Sequence, residues 1–311
     1  MKMKTPKNHL ALLAAGLCFG LGPSAFAGPI NLGSAADYTI VGVGGSPSVQ
    51  STFEIYQSGT VIKGNVAQGP YTTLTHGIDS TVQGRWDYDL TDSNPAAAGY
   101  TGSVTGGFHQ INLATVSADA RSASAAAAAF APTQTFASLD AFDGVGSIVG
   151  TPGVNVIRIT GDSALKISLT LSGTSTSSFI FQFTSPTTAG HDILSLSGMT
   201  MNIGAINPDN IYWDFDLLGG DLSIKAMAAG QTVYGNFLAP DRNILGDHAI
   251  VDGRLIGGGS GSSLSIHSTS ELNGPVTVPE AGGTLLSLGI ALLGLTGFAR
   301  FRVNLQAVAV S

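Results

Sequence analysis

Short runs rich in β-branched and aromatic residues recur along the chain, each closed by Gly, Pro, Asn or Asp. The densest series lies between Ser178 and Gly259, with runs at Phe179–Phe183, Ile211–Phe215, Val233–Leu238, Ala249–Val251 and Arg254–Ile256. Runs of this length and make-up predict short strands. Upstream, Asp37–Val43, Thr52–Tyr56, Thr60–Ala67 and Thr81–Leu90 read the same way, with Gly59, Gly69-Pro70 and Gly77 as turns. After Gly153 the strands resume at Asn155–Thr160 and Leu165–Leu171. Comparable strands are spaced by about 15 to about 30 residues, too unevenly for a strict short repeat and in keeping with an irregular β-helix. In such a fold each coil buries its inward residues only by stacking on the next.

One segment changes period. Leu113, Val116, Ala120, Ala123, Ala127 and Phe130 fall at helical spacing in an Ala-rich stretch that stops before Pro132. This predicts a long helix over Leu113–Ala131, capped by Asn112 or Ser117. Its stripe of small side chains suits close packing along the side of the strands. The fold class expected is therefore all-β dominated: an irregular, discontinuous β-helix or solenoid with one long Ala-rich helix alongside.

Composition sharpens the picture. Charged residues make up 11% of the 311 residues, against about 25% in ordinary globular domains, so Ser, Thr, Asn and Gly must build much of the surface. Residues 28–277 hold 8 basic and 19 acidic side chains, a net charge of −11. That balance repels phosphate backbones and argues against a nucleic-acid partner. The single cysteine, Cys18, precedes this body, which therefore has no disulfide, thiolate nucleophile or cysteine-ligated metal.

The two ends read as addresses. Lys2, Lys4 and Lys7 precede an apolar run from Leu10 to Leu21, and Ala25-Phe26-Ala27 offers the small residues of a cleavage site. Residues 1–27 are thus expected to be a secretory signal peptide. At the other end Val278-Pro279-Glu280 leads into an apolar run from Thr284 to Ala299, then Arg300-Phe301-Arg302. As a helix that run would span roughly 24 Å, short of the roughly 30 Å hydrocarbon core. Residues 278–302 resemble the PEP-CTERM class of bacterial tails and their Val-Pro-Asp-Ser-Gly relatives, which implies an exosortase-type processing enzyme as a partner and transient membrane insertion. Ala281 departs from that pattern where a second Pro usually stands, as does the extra tail at 303–311. A plain membrane anchor is the alternative.

Between the ends, the order of elements carries a second resemblance. Ile62-Lys63-Gly64-Asn65-Val66-Ala67-Gln68-Gly69-Pro70, the Ala-rich helix, Phe179-Ile180-Phe181-Gln182, Asn210-Ile211-Tyr212-Trp213, Gly235-Asn236-Phe237-Leu238-Ala239-Pro240 and Gly253-Arg254-Leu255-Ile256 follow one another. Together they resemble the bacterial ice-binding-protein-like family, and equally the related choice-of-anchor A domains of bacterial surface proteins, across most of residues 34–270. The resemblance implies a discontinuous β-helix of triangular cross-section. It also implies, for members that bind ice, a flat face carrying rows of Thr, Ser and Ala. Strands about 4.8 Å apart, with outward residues about 6.8 Å apart along each, form a lattice suited to ordering water. Thr72, Thr73, Thr75, Ser168, Thr170, Ser195, Ser197, Thr200 and Asn202 are the candidates for such a face.

Two further constellations carry possible chemistry. Asp214 and Asp216 alternate with Trp213 and Phe215, so both carboxylates face one way on a strand; with Asp221 they are candidates to hold Ca²⁺, the one cofactor considered. Asp87, Asp89 and Asp92 form a looser second group. Neither matches a defined calcium loop. A β-helical polysaccharide lyase would need these aspartates on calcium with Arg242, Arg254 or Lys225 as base. His76, His109, His191, His248 and His267 stand isolated, with no catalytic phrase around them.

The function expected from all this is that of an exported, non-enzymatic protein of the cell surface or extracellular matrix, adhesive or structural, in contact with extracellular polysaccharide. Ice binding through a flat Thr/Ser face is the alternative, and lyase activity a third.

Overall fold

Alternation decides what each strand does here: one set of side chains points into the coil and the other points out, and the chain turns a corner wherever a run ends. The computed structural model describes residues 28–56, 59–76, 80–184, 192–215 and 221–274. All of them belong to a single unit, Gly28–Pro275. The strands form three sheets, and their ladders are parallel.

The largest sheet has 14 strands. Its main path contains β1 (Ile40–Gly44), β4 (Val66–Gln68), β7 (Trp86–Asp89), β9 (Phe108–Ile111), β10 (Gln134–Phe136), β12 (Gly153–Ile159), β15 (Ser177–Phe183), β18 (Ile211–Asp214), β20 (Val233–Ala239) and β22 (Ile250–Gly259). β3 (Val61–Lys63), β6 (Thr81–Val82), β8 (Ser103–Val104) and β24 (Glu271–Asn273) branch from it. A 7-stranded sheet holds β2 (Ser51–Ile55), β5 (Thr72–His76), β13 (Ser163–Leu165), β16 (Asp192–Ser197), β19 (Asp221–Lys225), β21 (Ile244–Asp247) and β23 (Ser263–His267). A 3-stranded sheet holds β11 (Ile148–Val149), β14 (Ser168–Ser172) and β17 (Thr200–Asn202).

The corners explain where the sequence runs divide or merge. The run Thr60–Ala67 splits into β3 and β4 around Gly64, which has φ +129°. Conversely, Ala249–Val251 and Arg254–Ile256 belong to one bent strand: β22 pairs with β24 through Ile250–Asp252 and with β1 from Leu255 onward. Gly253, between the two halves, has φ +145°, and a Cβ there would lie 2.0 Å from the Gly235 carbonyl oxygen. Only glycine fits that corner.

Strand order makes the β-helix discontinuous. Along the large sheet it runs β10-β12-β15-β18-β20-β22-β1-β4-β7-β9, so the last coil of the chain stacks on the first. Between β9 and β10, at opposite ends of this path, lies α1, Ala114–Ala128. Its 15 residues span about 22 Å at 1.5 Å each, about half the roughly 43 Å that ten strands occupy. The helix and its flanks thus return the chain from one end of the stack to the other.

Two apolar clusters follow. Inside the coils lie Ile40, Phe53, Val66, Trp86, Phe179, Phe181, Phe183, Trp213, Phe215, Phe237 and Leu255 among others. Trp213 stacks on Phe181 at 4.3 Å and on Phe237 at 5.6 Å between centroids, and Phe183 stacks on Phe215 at 4.7 Å. The second cluster lies outside the large sheet: Val41, Val43, Ala67, Val156, Ile180, Tyr212, Leu238 and Ile256 pack beneath Leu113, Val116, Ala120, Ala123 and Ala127. The alanine stripe lets the helix sit close to the sheet, as its spacing predicts.

Polar anchors fix the helix in place. Ser117 Oγ donates to the Val43 carbonyl at 2.7 Å, and Ser124 Oγ donates to Asp214 Oδ1 at 2.6 Å. The N-cap position is Leu113 rather than Asn112 or Ser117, and Asn112 Oδ1, one residue earlier, accepts from the Ala114 N–H at 2.9 Å. The helix stops at Ala128 rather than Ala131. There the Gln182 amide donates to the carbonyls of Ala127 and Phe130, each at 2.8 Å, giving terminal carbonyls partners outside the helix.

Candidate functional site

With the helix on the large sheet, the broadest ladder free of it is the 7-stranded sheet. Its strands follow the order β13-β16-β19-β21-β23-β2-β5. Leu194, Leu222, Ile244, Leu264 and Phe53 point inward in one buried row, and Leu196, Ile224, Ile266 and Ile55 in another. The residues between them face out.

Three outward rows result. The first carries Asp192 and Asp221, then Asn243 just before β21, then Ser263, Thr52 and Thr73. The second carries Ala164, Ser195, Ser223, Leu245, Ser265, Glu54 and Thr75. The third carries Ser197, Lys225, Asp247 and His267. In a parallel ladder these positions repeat at about 4.8 Å across strands and roughly 6.6 Å along them.

Side chains along these rows bond to one another across the strands. Ser223 Oγ donates to Asp192 Oδ2 at 2.6 Å, with Lys225 Nζ 3.6 Å from the same oxygen. Asn243 Nδ2 donates to Asp221 Oδ1 at 3.0 Å, and Asn243 Oδ1 accepts from the Ser263 N–H at 2.7 Å. Ser265 Oγ donates to Glu54 Oε2 at 2.7 Å, and His267 Nε2 lies 3.4 Å from it. Thr73 Oγ1 donates to Gln50 at 3.0 Å. Cross-strand pairing of this kind limits the number of rotamers each side chain visits. The half made by β23, β2 and β5 is the richer in hydroxyls, and the half around β16 and β19 is the more charged.

The hydroxyl residues singled out in the sequence divide between two sheets. Thr72, Thr73, Thr75, Ser195 and Ser197 lie in the 7-stranded sheet, whereas Ser168, Thr170 and Thr200 lie with Asn202 in the 3-stranded one. They do not share a face. Thr72 is 8% exposed, and its hydroxyl donates to the Gly69 carbonyl at 2.7 Å; it serves the turn rather than the surface. Sequence reading missed Thr52, Glu54, Ser263 and Ser265. The signal was available in β2, where Phe53 and Ile55 alternate with Thr52 and Glu54 and mark them as outward.

The aspartates are not brought together. Asp214 is 1% exposed beneath α1, where it accepts from Ser124, while Asp221 lies on the 7-stranded sheet. Asp216 lies outside the described residues. Among the described residues there is no group of three or more His, Cys, Asp or Glu placed to hold a metal ion. In the looser group, Asp87 accepts from Tyr38 Oη and Arg85 Nε, both at 2.6 Å. Burial and that bond to Asp87 push the Tyr38 phenol up to about 12. Asp89 accepts from Thr91 and from the Leu113 N–H. Arg254 donates to Asp209 and Asn236 at 3.0 and 2.8 Å and to the Ala36 carbonyl, a set of bonds that ties the first described segment to the large sheet. The signal-cleavage residues Ala25 and Ala27 and the tail residues Val278, Pro279, Glu280, Arg300 and Arg302 lie outside the described residues.

Comparison with known proteins agrees with this architecture. A glycosylated ice-binding protein from an Arctic yeast matches with a TM-score of 0.50 at 20% identity, over 81% of this chain and 96% of that one. An ice-binding protein from an Antarctic biological consortium matches with a TM-score of 0.51 at 20% identity, over 79% and 90% of the two chains. At such identities the likeness concerns the fold, and both proteins share the β-helix seen here. No significant match is found among curated proteins. The family model described as ice-binding-like matches residues 49–268, most of the β-helix. The chain belongs to the ice-binding-like family.

Proposed function

We propose that this protein binds ice through the outer face of the 7-stranded sheet, with the hydroxyl-rich half at β23, β2 and β5 as the docking surface. The observation that carries the reading is the in-register ladder that places Ser263, Thr52 and Thr73 in one outward row and Glu54 and Thr75, beside the buried Ser265, in the next. Hydroxyls on a fixed lattice hold first-shell water in fixed positions, and water so ordered merges with an ice surface at little further entropic cost. The large sheet is less suited, because α1 covers the middle of its main path.

This reading corrects the expectation of an adhesive or structural surface protein. That expectation rested on the chain ends and on choice-of-anchor A domains, whereas the family matched over residues 49–268 is ice-binding-like, and the proteins of similar fold are ice-binding proteins. Family membership lends no support to a lyase, and ice binding requires no catalytic residue. Export through residues 1–27, and processing or anchoring through 278–302, would place the ice face outside the cell. Recovery of native protein that begins at Met1 would rule out signal cleavage, and an intact Ser311 would rule out processing of the tail in favour of a plain anchor.

The direct test is to measure thermal hysteresis and inhibition of ice recrystallisation with the purified protein. Faceted ice growth and small, stable grains are expected. Unrestrained grain growth at micromolar protein would end the proposal.

A further inference from the structure

Beside the last strand of the 7-stranded sheet lies a polar cavity of about 300 Å³, between β5 and the segment that follows β7. Gln50, Gln68, Tyr71, Thr73, Thr91 and Asp92 are among its lining residues. Asp92 is the one charged residue among those described that line it. Its carboxylate accepts from the Thr72 N–H at 3.0 Å and from Gln68 Nε2 at 3.2 Å, with no cation among these partners.

Three threonine hydroxyl protons of the wall are already committed. Thr72 donates to the Gly69 carbonyl at 2.7 Å, Thr73 to Gln50 at 3.0 Å, and Thr91 to Asp89 Oδ1 at 2.9 Å. What those oxygens retain is lone pairs. Gln68 is 1% exposed, and with its amide nitrogen turned to Asp92 its buried Oε1 has no partner among the described residues. The threonine oxygens thus place acceptors around one carboxylate that has no cation among its described partners.

We propose that this cavity binds the primary ammonium group of a small organic cation, with Asp92 as its charge partner and the threonine oxygens around it as further acceptors. An alkylammonium brings three N–H donors and a single positive charge, which matches one carboxylate among neutral oxygens. A divalent metal asks instead for six to eight converging oxygens, and in tight sites several are anionic. A cavity of about 300 Å³ also exceeds the volume of a bare ion and leaves room for a carbon skeleton against Leu74 and Ala98. Tyr71 lines the same space from a left-handed backbone with φ +53°, a strained conformation of the kind that persists where a site requires it. The neighbouring charge is that of Asp89. Burial, reinforced by Asp89, pushes Asp92 up to about 6, so the carboxylate attracts a cation at pH 7.5 and loses its charge at pH 5.

Calorimetric titration of the full chain with ethanolamine tests the proposal without any ice, so its outcome is separate from that of the ice-binding reading. One saturable site is expected at pH 7.5, weakening about tenfold per pH unit below about 6 and absent in Asp92→Asn. Choline, which has no N–H donor, is expected not to compete, and CaCl₂ is expected not to displace ethanolamine. Equal binding of choline, displacement by Ca²⁺, binding unchanged at pH 5 or in Asp92→Asn, or no saturation at all would each overturn it. Should Asp92→Asn not fold, the wild-type pH profile and the choline comparison still decide.

Discussion

Truncating Trp213 to Ala would reveal how this solenoid distributes its stability. The indole is fully buried and stacks on Phe181 at 4.3 Å, Phe237 at 5.6 Å and Phe183 at 6.3 Å. Its Nε1 donates to the Tyr234 carbonyl at 2.9 Å. Removing a buried Trp costs about 3–5 kcal/mol in transfer and cavity terms, and the orphaned carbonyl adds about 1 kcal/mol. A local loss of about 4 kcal/mol accelerates exchange through sub-global opening roughly a thousandfold. Because each coil leans on its neighbours, the loss should concentrate in β15, β18 and β20 and spare β4 and β7. Hydrogen exchange read by mass spectrometry reports the first group. Urea unfolding followed by Trp86, the tryptophan that remains of the 2 in the chain, reports the second. A cost below about 2 kcal/mol, or equal loss of protection at both ends of the stack, would refute nearest-neighbour stabilisation and point to one globally cooperative core.

Other perturbations follow from the same geometry. Gly253→Ala puts a Cβ 2.0 Å from backbone oxygen at φ +145°; it should cost on the order of 3 kcal/mol and lower Tm by roughly 6–12 °C in a scanning calorimeter. Asp92 titrates in the folded protein at about 6, above its ordinary 3.8. The stability it contributes is therefore fully present below the unfolded value and lost as pH rises through the folded one. Asp92→Asn escapes that loss, so its urea midpoint relative to wild type should improve between pH 4 and pH 7.5; a constant difference would contradict the assignment. Ser124→Ala removes the hydroxyl that donates to Asp214 beneath α1 and should cost about 1–3 kcal/mol, seen as earlier urea unfolding.

Much of the scaffold was legible in the sequence because its signals are local. Strand runs such as Phe179–Phe183 and Ile211–Asp214 declare themselves by β-branched and aromatic residues, and the helix by the alanine stripe that packs on Val41 and Ile180. What stayed hidden depends on long-range register. Nothing near Thr52 announces that it pairs with Ser263, or near Ile40 that it pairs with Leu255; those neighbours meet only because the last coil stacks on the first. For the same reason a Thr or Ser in an outward position reads alike on any side of the coil, and Thr170 and Thr200 fell into one group with Thr73 and Thr75. Asp214 and Asp221 looked adjacent in the chain, yet they lie on different sheets.

The central claim is that ice docks on the 7-stranded sheet, and a pair of matched substitutions tests it most directly. Thr52→Tyr plants a bulky ring in the outward row between Ser263 and Thr73, while Thr170→Tyr places the same ring on the 3-stranded sheet beside Asn202. Both sites are partly exposed, so both variants should fold with a wild-type Tm. Thermal hysteresis is expected to fall at least about tenfold for Thr52→Tyr, equivalent to about 1.4 kcal/mol of lost docking energy, and to stay at the wild-type level for Thr170→Tyr. Full activity in Thr52→Tyr, or its loss in Thr170→Tyr alone, would contradict the account.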